Sequence, residues 1–345
     1  MITPKALKKG DKVAIVSLSW GGAGDGEIHN RYMTGKKRLE DIFGLEVVAM
    51  PHALKGSAYV SEHPKERAED LMAAFRDPEI KGIISTIGGN DTIRLLPYID
   101  YDVIKNNPKI LMGYSDTTVN HFMCYKAGLR SYYGPCVLME FAENIQMHDY
   151  TVENIMWTLF STEPVGEIEP VKEWTSEYLP WDSAENNRTL RKMQPETHGH
   201  EILQGTGKVQ GRLIGGCIEV LDWLRGSVLW PSKEEWTGKI LFLETSEDKP
   251  SPDMITFMLR ALWATGILDV ISGIVVAKPQ GEKYYDEYKD VFKEVIGIQC
   301  GRPDLPILYN VSFGHTSPIA IMPMDALAEI DCGMKTLRIL ESGVV

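Results

Sequence analysis

Ser115 stands in the stretch Pro108-Lys-Ile-Leu-Met-Gly-Tyr-Ser-Asp-Thr-Thr-Val-Asn-His121, which reads as a short buried strand, a sharp turn carrying one serine, and a helix start. A serine hydroxyl becomes a useful nucleophile where it is exposed and a base takes its proton, and a strand-to-helix elbow supplies the exposure. Gly113 and Ser115 form the first half of a Gly-x-Ser-x-Gly elbow, with Thr117 where the second glycine would stand. Ser115 or Asp116 equally suits the cap of a helix starting near Thr117, so the tripeptide alone leaves both roles open. Gly88-Gly-Asn-Asp91 places a glycine pair at a strand end, where backbone N–H groups can turn toward a developing oxyanion. The same four residues also suit a tight strand-to-helix turn capped by Asn90 or Asp91.

Two residues in the second half of the chain complete this chemistry. Glu244 closes the apolar run Ile240-Leu-Phe-Leu243, so its carboxylate sits at a strand's carboxyl end, partly desolvated and in need of a partner such as an imidazole N–H. Glu247 and Asp248 read as loop residues. His315, in Val311-Ser-Phe-Gly-His-Thr-Ser-Pro318, follows another strand in a loop whose Gly314 permits close approach. The other histidines suit the role less well: His29, His63, His148, His198 and His200 lie in polar helices or loops, His52 opens a loop, and His121 lies on the elbow helix. A loop histidine is commonly just solvated, but Ser, Glu, His is also the chain order of the α/β-hydrolase triad.

These residues need strands to carry them. Lys12–Ser17 is a near-continuous apolar run, Gly21–Gly24 turns the chain, and Arg31–Phe43 has helical spacing before the strand Leu45–Ala49. A second unit runs from the helix Lys65–Phe75 through the strand Gly82–Ile87 and a helix after Asp91 to the strand Ile110–Met112. The repetition predicts a doubly wound parallel sheet with any site at the carboxyl ends of the strands. Gly21–Gly24 lacks both the Gly-x-Gly-x-x-Gly spacing and a Walker lysine, which argues against a phosphate loop. After Gly207, Lys208–Ile214, Gly215-Gly216 and an apolar helix to Leu224 lead into further strands at Lys239–Glu244, Gly273–Ala277 and Leu305–Asn310. Helices at Pro252–Ala264 and Tyr285–Ile296 and a hairpin about Cys332-Gly333 complete a second, more mixed α/β domain.

A length of 345 residues suits two domains of ~150 residues each. Lys and Arg number 36 against 48 Asp and Glu, a net charge of −12, which argues against nucleic-acid or anionic-membrane partners and for a small-molecule ligand. Five scattered cysteines without a Cys-x-x-Cys pair indicate neither a disulfide framework nor a zinc site. With no apolar leader and no stretch of 18 apolar residues, a cytoplasmic location is expected. Residues 162–207 are polar and broken by proline and glycine, as expected of a linker or binding loop. Within it Trp174, Tyr178 and Trp181 either pin the loop, the commoner use, or stack on a flat ligand.

Taken together, Ile87-Gly-Gly-Asn-Asp91, Met112-Gly-Tyr-Ser-Asp-Thr117, Leu243-Glu-Thr-Ser-Glu247 and Phe313-Gly-His-Thr316 resemble the serine LD-carboxypeptidase family over essentially the whole chain, most closely its microcin C immunity (MccF-like) branch. The resemblance implies Ser115 as nucleophile, His315 as general base and Glu244 as the residue orienting it. The N–H groups of Asp116 and of Gly88-Gly89 would form the oxyanion hole, with Asn90, Trp181 and Lys249 on the substrate. It further implies a nucleophile domain over 1–161, a Glu/His domain over 208–345, a site at their junction, a homodimer, and catalysis without metal or organic cofactor. One branch trims the terminal D-alanine from a murein tetrapeptide; the other cuts between an aminoacyl group and a nucleotide-like moiety. The loop with Trp174 and Trp181 and the run Glu244–Lys249 favour the second. A non-catalytic two-domain ligand-binding protein is the reading of another class, in which Ser115 merely caps its helix.

Overall fold

The computed structural model describes residues 1–345, the side chain of Glu27 excepted. Two compact units emerge: Met1–Thr162 with Glu177–Lys192 and Gly343–Val345, and Glu163–Ser176 with Met193–Ser342. The polar stretch 162–207 is therefore shared between both units.

In the first unit the strands are β1 (Lys12–Val16), β2 (Glu46–Ala49), β3 (Ile80–Ser85), β4 (Ile110–Gly113) and β5 (Tyr132–Tyr133). They lie in the order β2-β1-β3-β4-β5 and every pair is parallel. Val13 to Val16 and Ile110 to Gly113 are buried throughout, as strands covered on both faces must be. Helix α1 (His29–Asp41) follows β1, and α2 (Pro64–Arg76) opens on a proline whose missing N–H costs nothing at that position. Its Ala68, Leu71, Met72 and Phe75 face inward at helical spacing. Helix α3 (Thr118–Ala127) ends at Gly128 in the left-handed conformation that releases a helix. The strand order reverses direction between β1 and β3, and a sheet of this kind opens a crevice outside the carboxyl ends of those two strands.

In the second unit, β6 (Pro164–Glu167), β7 (Glu201–Gln204), β8 (Lys208–Cys217), β9 (Ile240–Glu244), β10 (Gly273–Ala277), β11 (Ile307–Val311), β12 (Leu327–Asp331) and β13 (Thr336–Ser342) form one sheet in the order β6-β13-β12-β8-β9-β10-β11-β7. The centre, β8 to β11, is parallel; β7 and the β12, β13, β6 side are antiparallel. Strand β8 joins the two styles, pairing antiparallel with β12 over Lys208–Arg212 and parallel with β9 over Leu213–Cys217. It thus runs through Gly215 and Gly216, where the sequence suggested a break.

Two helices differ from expectation. After Asp91 the chain forms a 3₁₀ turn over Thr92–Tyr98 and only then a short helix, Tyr101–Asn106, because Pro97 lacks the N–H that a continuing α-helix needs. The helix beginning at Tyr285 is α-helical to Phe292 and continues as a π-helical stretch, Lys293–Gln299. Among the described residues no helix is long and apolar enough to cross a membrane.

Candidate active site

Ser115 sits immediately beyond β4 with φ +62°, a left-handed conformation that costs an L-residue on the order of 1 kcal/mol or more. The elbow is held from behind. Its backbone N–H donates to the Tyr133 hydroxyl (3.0 Å), and the buried His121 donates from Nε2 to the Gly113 carbonyl (2.9 Å). Burial pushes the His121 pKa down to about 4, so the ring is neutral and its Nδ1 accepts from the Ser131 hydroxyl (2.8 Å). Neither Ser115 nor Asp116 caps the helix it precedes, for neither side chain accepts from an N–H group of Thr117 or of α3. The buried Asp116 carboxylate turns instead toward the neighbouring strand end. Its Oδ2 accepts from the Ser19 hydroxyl (2.6 Å) and from the N–H groups of Asp91 and Thr92 (2.9 Å each).

That carboxylate fixes the Gly88–Asp91 turn, and the turn after β1 supports it from the other side. The Trp20 N–H donates to the Gly88 carbonyl (3.2 Å), while buried Arg67 bonds the Leu18 carbonyl (2.9 Å) and the Asp91 carboxylate (2.7 Å). Why positions 88 and 89 are glycine follows from space. A Cβ on Gly88 would lie 2.6 Å from the Ser115 Cβ, 2.8 Å from its Oγ and 3.2 Å from the Asp116 nitrogen. One on Gly89, at φ +137°, would lie 2.5 Å from the Ser19 hydroxyl. Only a residue without a side chain lets the Gly88 turn pass this close to the Ser115 Oγ and the Asp116 N–H. Asn90 is exposed on the same turn.

In the second unit, Glu244 ends β9 fully buried and His315 lies in the loop after β11. His315 Nδ1 donates to Glu244 Oε2 at 2.6 Å. Gly314, at φ +83°, permits this, since a Cβ there would come within 2.6 Å of the same carboxylate oxygen. Glu247 reads from the sequence as a loop residue and a stand-in for Glu244 in orienting the base; its Oε2 stands 2.9 Å from His315 Nε2. Its position three residues past a strand-ending glutamate gave no periodic signal; only the fold of the Thr245–Lys249 turn reveals it. Burial alone would lower the His315 pKa, but Glu244 and then Glu247 hold it well above the usual histidine value. The hydrogen bond from His315 in turn draws Glu247 down to about 2. Lys249 is exposed in the left-handed region, with its Nζ 3.6 Å from where a Gly281 Cβ would stand.

Trp181 belongs to the first unit and is pinned there. The Arg31 guanidinium lies over its ring at 4.7 Å, Trp20 and Tyr178 rings sit at 6.4 and 6.0 Å, and the Asn187 side-chain amide donates to its carbonyl (2.8 Å). Arg31 also holds Asn187 (3.0 Å), Arg191 pairs with the buried Glu143, and Asn144 donates to the Asn186 and Thr189 carbonyls. Burial lowers the Arg31 pKa to about 10, which leaves it charged. A small cleft of about 20 Å³, room for about one water, remains among Arg31, Glu143, Asn144, Tyr178, Trp181 and Arg191. The pinning role expected of these aromatics is therefore realised for Trp181, and an aromatic edge still lines a cleft. Trp174 belongs to the second unit, buried beneath the Lys278 ammonium (4.7 Å).

Residues 13–134 match the LD-carboxypeptidase N-terminal domain and residues 210–330 the LD-carboxypeptidase C-terminal domain. The chain is 31% identical to the microcin C7 self-immunity protein MccF of Escherichia coli, over 90% of this chain and 88% of that protein. A structure of MccF in complex with aspartyl sulfamoyl adenosine, 28% identical, superposes over 100% of both chains with a TM-score of 0.85. An MccF-like protein from Streptococcus pneumoniae in complex with AMP is 36% identical, with a TM-score of 0.88 over 95% of this chain and 98% of that one. A probable murein peptide carboxypeptidase of Bacillus subtilis is 29% identical over 99% of this chain and 95% of its own length.

Proposed function

The chain belongs to the LD-carboxypeptidase family, in its MccF-like branch, as a serine carboxypeptidase-type hydrolase, and from that premise we propose that it cleaves the amide-type bond of aminoacyl-nucleotide compounds through Ser115, His315 and Glu244. Such cleavage would confer self-immunity or detoxification. The observation that carries the reading is the strained Ser115, which caps nothing and whose Oγ lies against a turn with no room for a side chain at Gly88. A costly conformation at a side chain with no structural bond is most simply explained by chemistry.

The steps follow from the atoms. Glu244 accepts a hydrogen bond from the Nδ1–H of His315, so Nε2 is the nitrogen that serves as base. It accepts the Ser115 Oγ proton as Oγ attacks the carbonyl carbon. The Ser115 N–H is already engaged by Tyr133, which leaves the Asp116 N–H and the Gly88-Gly89 turn to hold the oxyanion. The tetrahedral adduct collapses as His315 returns the proton to the departing nitrogen. Water, deprotonated by the same imidazole, then releases the acyl group from Ser115. For the non-reacting end, Trp181 offers a flat edge and Arg31 a desolvated cation. Lys249 and Asn90 stand on exposed turns of their own units, where polar substrate groups can reach them.

Murein tetrapeptide cleavage is the second reading, favoured by the likeness to the Bacillus subtilis protein. Incubation with a murein tetrapeptide and with an aminoacyl sulfamoyl adenosine, with products followed by mass spectrometry, separates the two. Trp181→Ala sharpens the test. It is expected to lower kcat/KM for the aminoacyl nucleotide by ~1–3 kcal/mol, the range for base–aromatic stacking, while barely touching the murein peptide. Equal losses on both substrates would mean that the tryptophan only pins its loop.

The pH profile tests His315 itself. Because its carboxylate neighbours raise its pKa, the neutral base appears only as pH climbs past the usual histidine range, so the acid limb of kcat/KM is expected above ~6.5. Glu244→Gln removes one of those charges and should move the limb down by about a unit or more. A limb at or below 6.5 in the native enzyme, unmoved by Glu244→Gln, would remove His315 as the base.

A further inference from the structure

Both ring nitrogens of His315 face carboxylates: Nδ1 meets Glu244 at 2.6 Å and Nε2 meets Glu247 at 2.9 Å. Ionised carboxylates only accept, so each nitrogen carries a proton and the ring is an imidazolium. In that state it cannot take a proton from a serine. The two carboxylates are not alike. The Glu244 side chain is 0% exposed at the end of a central strand, whereas that of Glu247 is 63% exposed. The backbone under Glu247 is fixed, for Ser246 donates from N (3.0 Å) and Oγ (2.6 Å) to Glu219, and the Lys249 N–H closes a turn on the Ser246 carbonyl (3.1 Å). Glu247 can therefore leave Nε2 by side-chain rotation alone, with no loop movement.

We propose that Glu247 is a displaceable cap on the catalytic base: it holds the Nε2 proton of His315 in the substrate-free enzyme and is pushed aside when substrate enters. This rests on the reading that Ser115 and His315 carry out the hydrolysis. Once Glu247 has moved, the imidazolium gives its Nε2 proton to water. The lone pair freed on Nε2 then accepts the Ser115 Oγ proton, while Nδ1 keeps its proton, hydrogen-bonded to Glu244. Other charged or titratable groups around His315 in its unit are bound elsewhere. Cys217, beside Glu244 in the sheet, donates to Glu219 (3.2 Å). Lys278, whose carbonyl accepts from Thr316 (3.5 Å), pairs with Glu196 (2.9 Å) and Glu282 (2.7 Å). Glu247 is thus the exposed acidic group on Nε2.

The free enzyme sets the pH profile of kcat/KM and the substrate complex that of kcat. Glu247→Gln should lower the acid limb of kcat/KM by about one pH unit, a gain of about tenfold at pH values below that limb, and should move the kcat limb much less. Glu247→Ala should do the same. A direct readout uses the Ser115→Ala protein without substrate, where NMR titration of the His315 ring should fall by a similar amount when Glu247→Gln is added. An unchanged His315 titration overturns the cap, even where Ser115→Ala and His315→Ala are inactive. Activity retained by those two variants would overturn the catalytic reading instead, and the His315 titration would still decide whether Glu247 binds the ring.

Discussion

Ser115→Ala is expected to reduce kcat/KM by on the order of 10⁴-fold or more, with the remaining rate supplied by binding and the oxyanion hole. His315→Ala should cost about as much, and the double variant little more than either, because a nucleophile and its base act as one unit. The fold should hardly notice. The Ser115 hydroxyl caps no helix, and alanine at φ +62° carries the same backbone strain as serine. Glycine does not, so Ser115→Gly is expected to be equally inactive yet more stable by about 1 kcal/mol. Circular dichroism and thermal melts would verify the stabilities, and steady-state rates the activities. A Ser115→Ala enzyme within tenfold of the native rate, still folded, would end the serine-hydrolase assignment to this residue.

What the sequence disclosed was mostly local and periodic. The apolar runs at Lys12–Val16 and Ile110–Gly113 announce buried parallel strands, and the residues of interest follow strand ends because loops there must turn sharply. Ser115, Glu244 and His315 were each visible as a polar residue placed where an apolar strand stops. The less visible part depends on bonds between distant segments. The Asp116 carboxylate reads as a helix cap, yet it binds the amides of Asp91 and Thr92, 25 and 24 positions earlier. Trp181 sits in a loop without periodicity, and its partner Arg31 lies on a helix about 150 residues away whose pattern says only that the helix is amphipathic. Pro97 is legible in the sequence, and it turns the helix expected after Asp91 into a 3₁₀ turn. Glu247 combines both difficulties, being exposed by composition and specific only through the ring it meets.

Gly88→Ala should nearly silence the enzyme although residue 88 carries no functional group. Strands β3 and β4 are parallel neighbours, so the turns that follow them emerge side by side, and the turn after β3 passes directly against the elbow after β4. A methyl group on Gly88 would stand 2.6 Å from the Ser115 Cβ and 2.8 Å from its Oγ, distances at which something must move, and the Ser115 Cβ is tied to a constrained backbone. The same methyl would lie 3.2 Å from the Asp116 nitrogen, whose N–H is proposed to hold the oxyanion. Losing one oxyanion donor typically costs 10²–10³-fold in kcat, and displacement of the nucleophile adds to it, so a fall of about 10³-fold or more is expected. Overpacking should reduce stability by only about 1–3 kcal/mol, leaving a folded protein to assay. Gly89→Ala is the instructive comparison. There the backbone at φ +137° and the Ser19 hydroxyl at 2.5 Å oppose the change, so stability should suffer more relative to activity. On the Ser115→Ala background Gly88→Ala should cost less than it does in the native enzyme, since an absent nucleophile cannot be displaced and only the oxyanion contact is left to lose. A folded Gly88→Ala enzyme with native kcat would show that this turn neither borders the reacting carbonyl nor holds its oxygen.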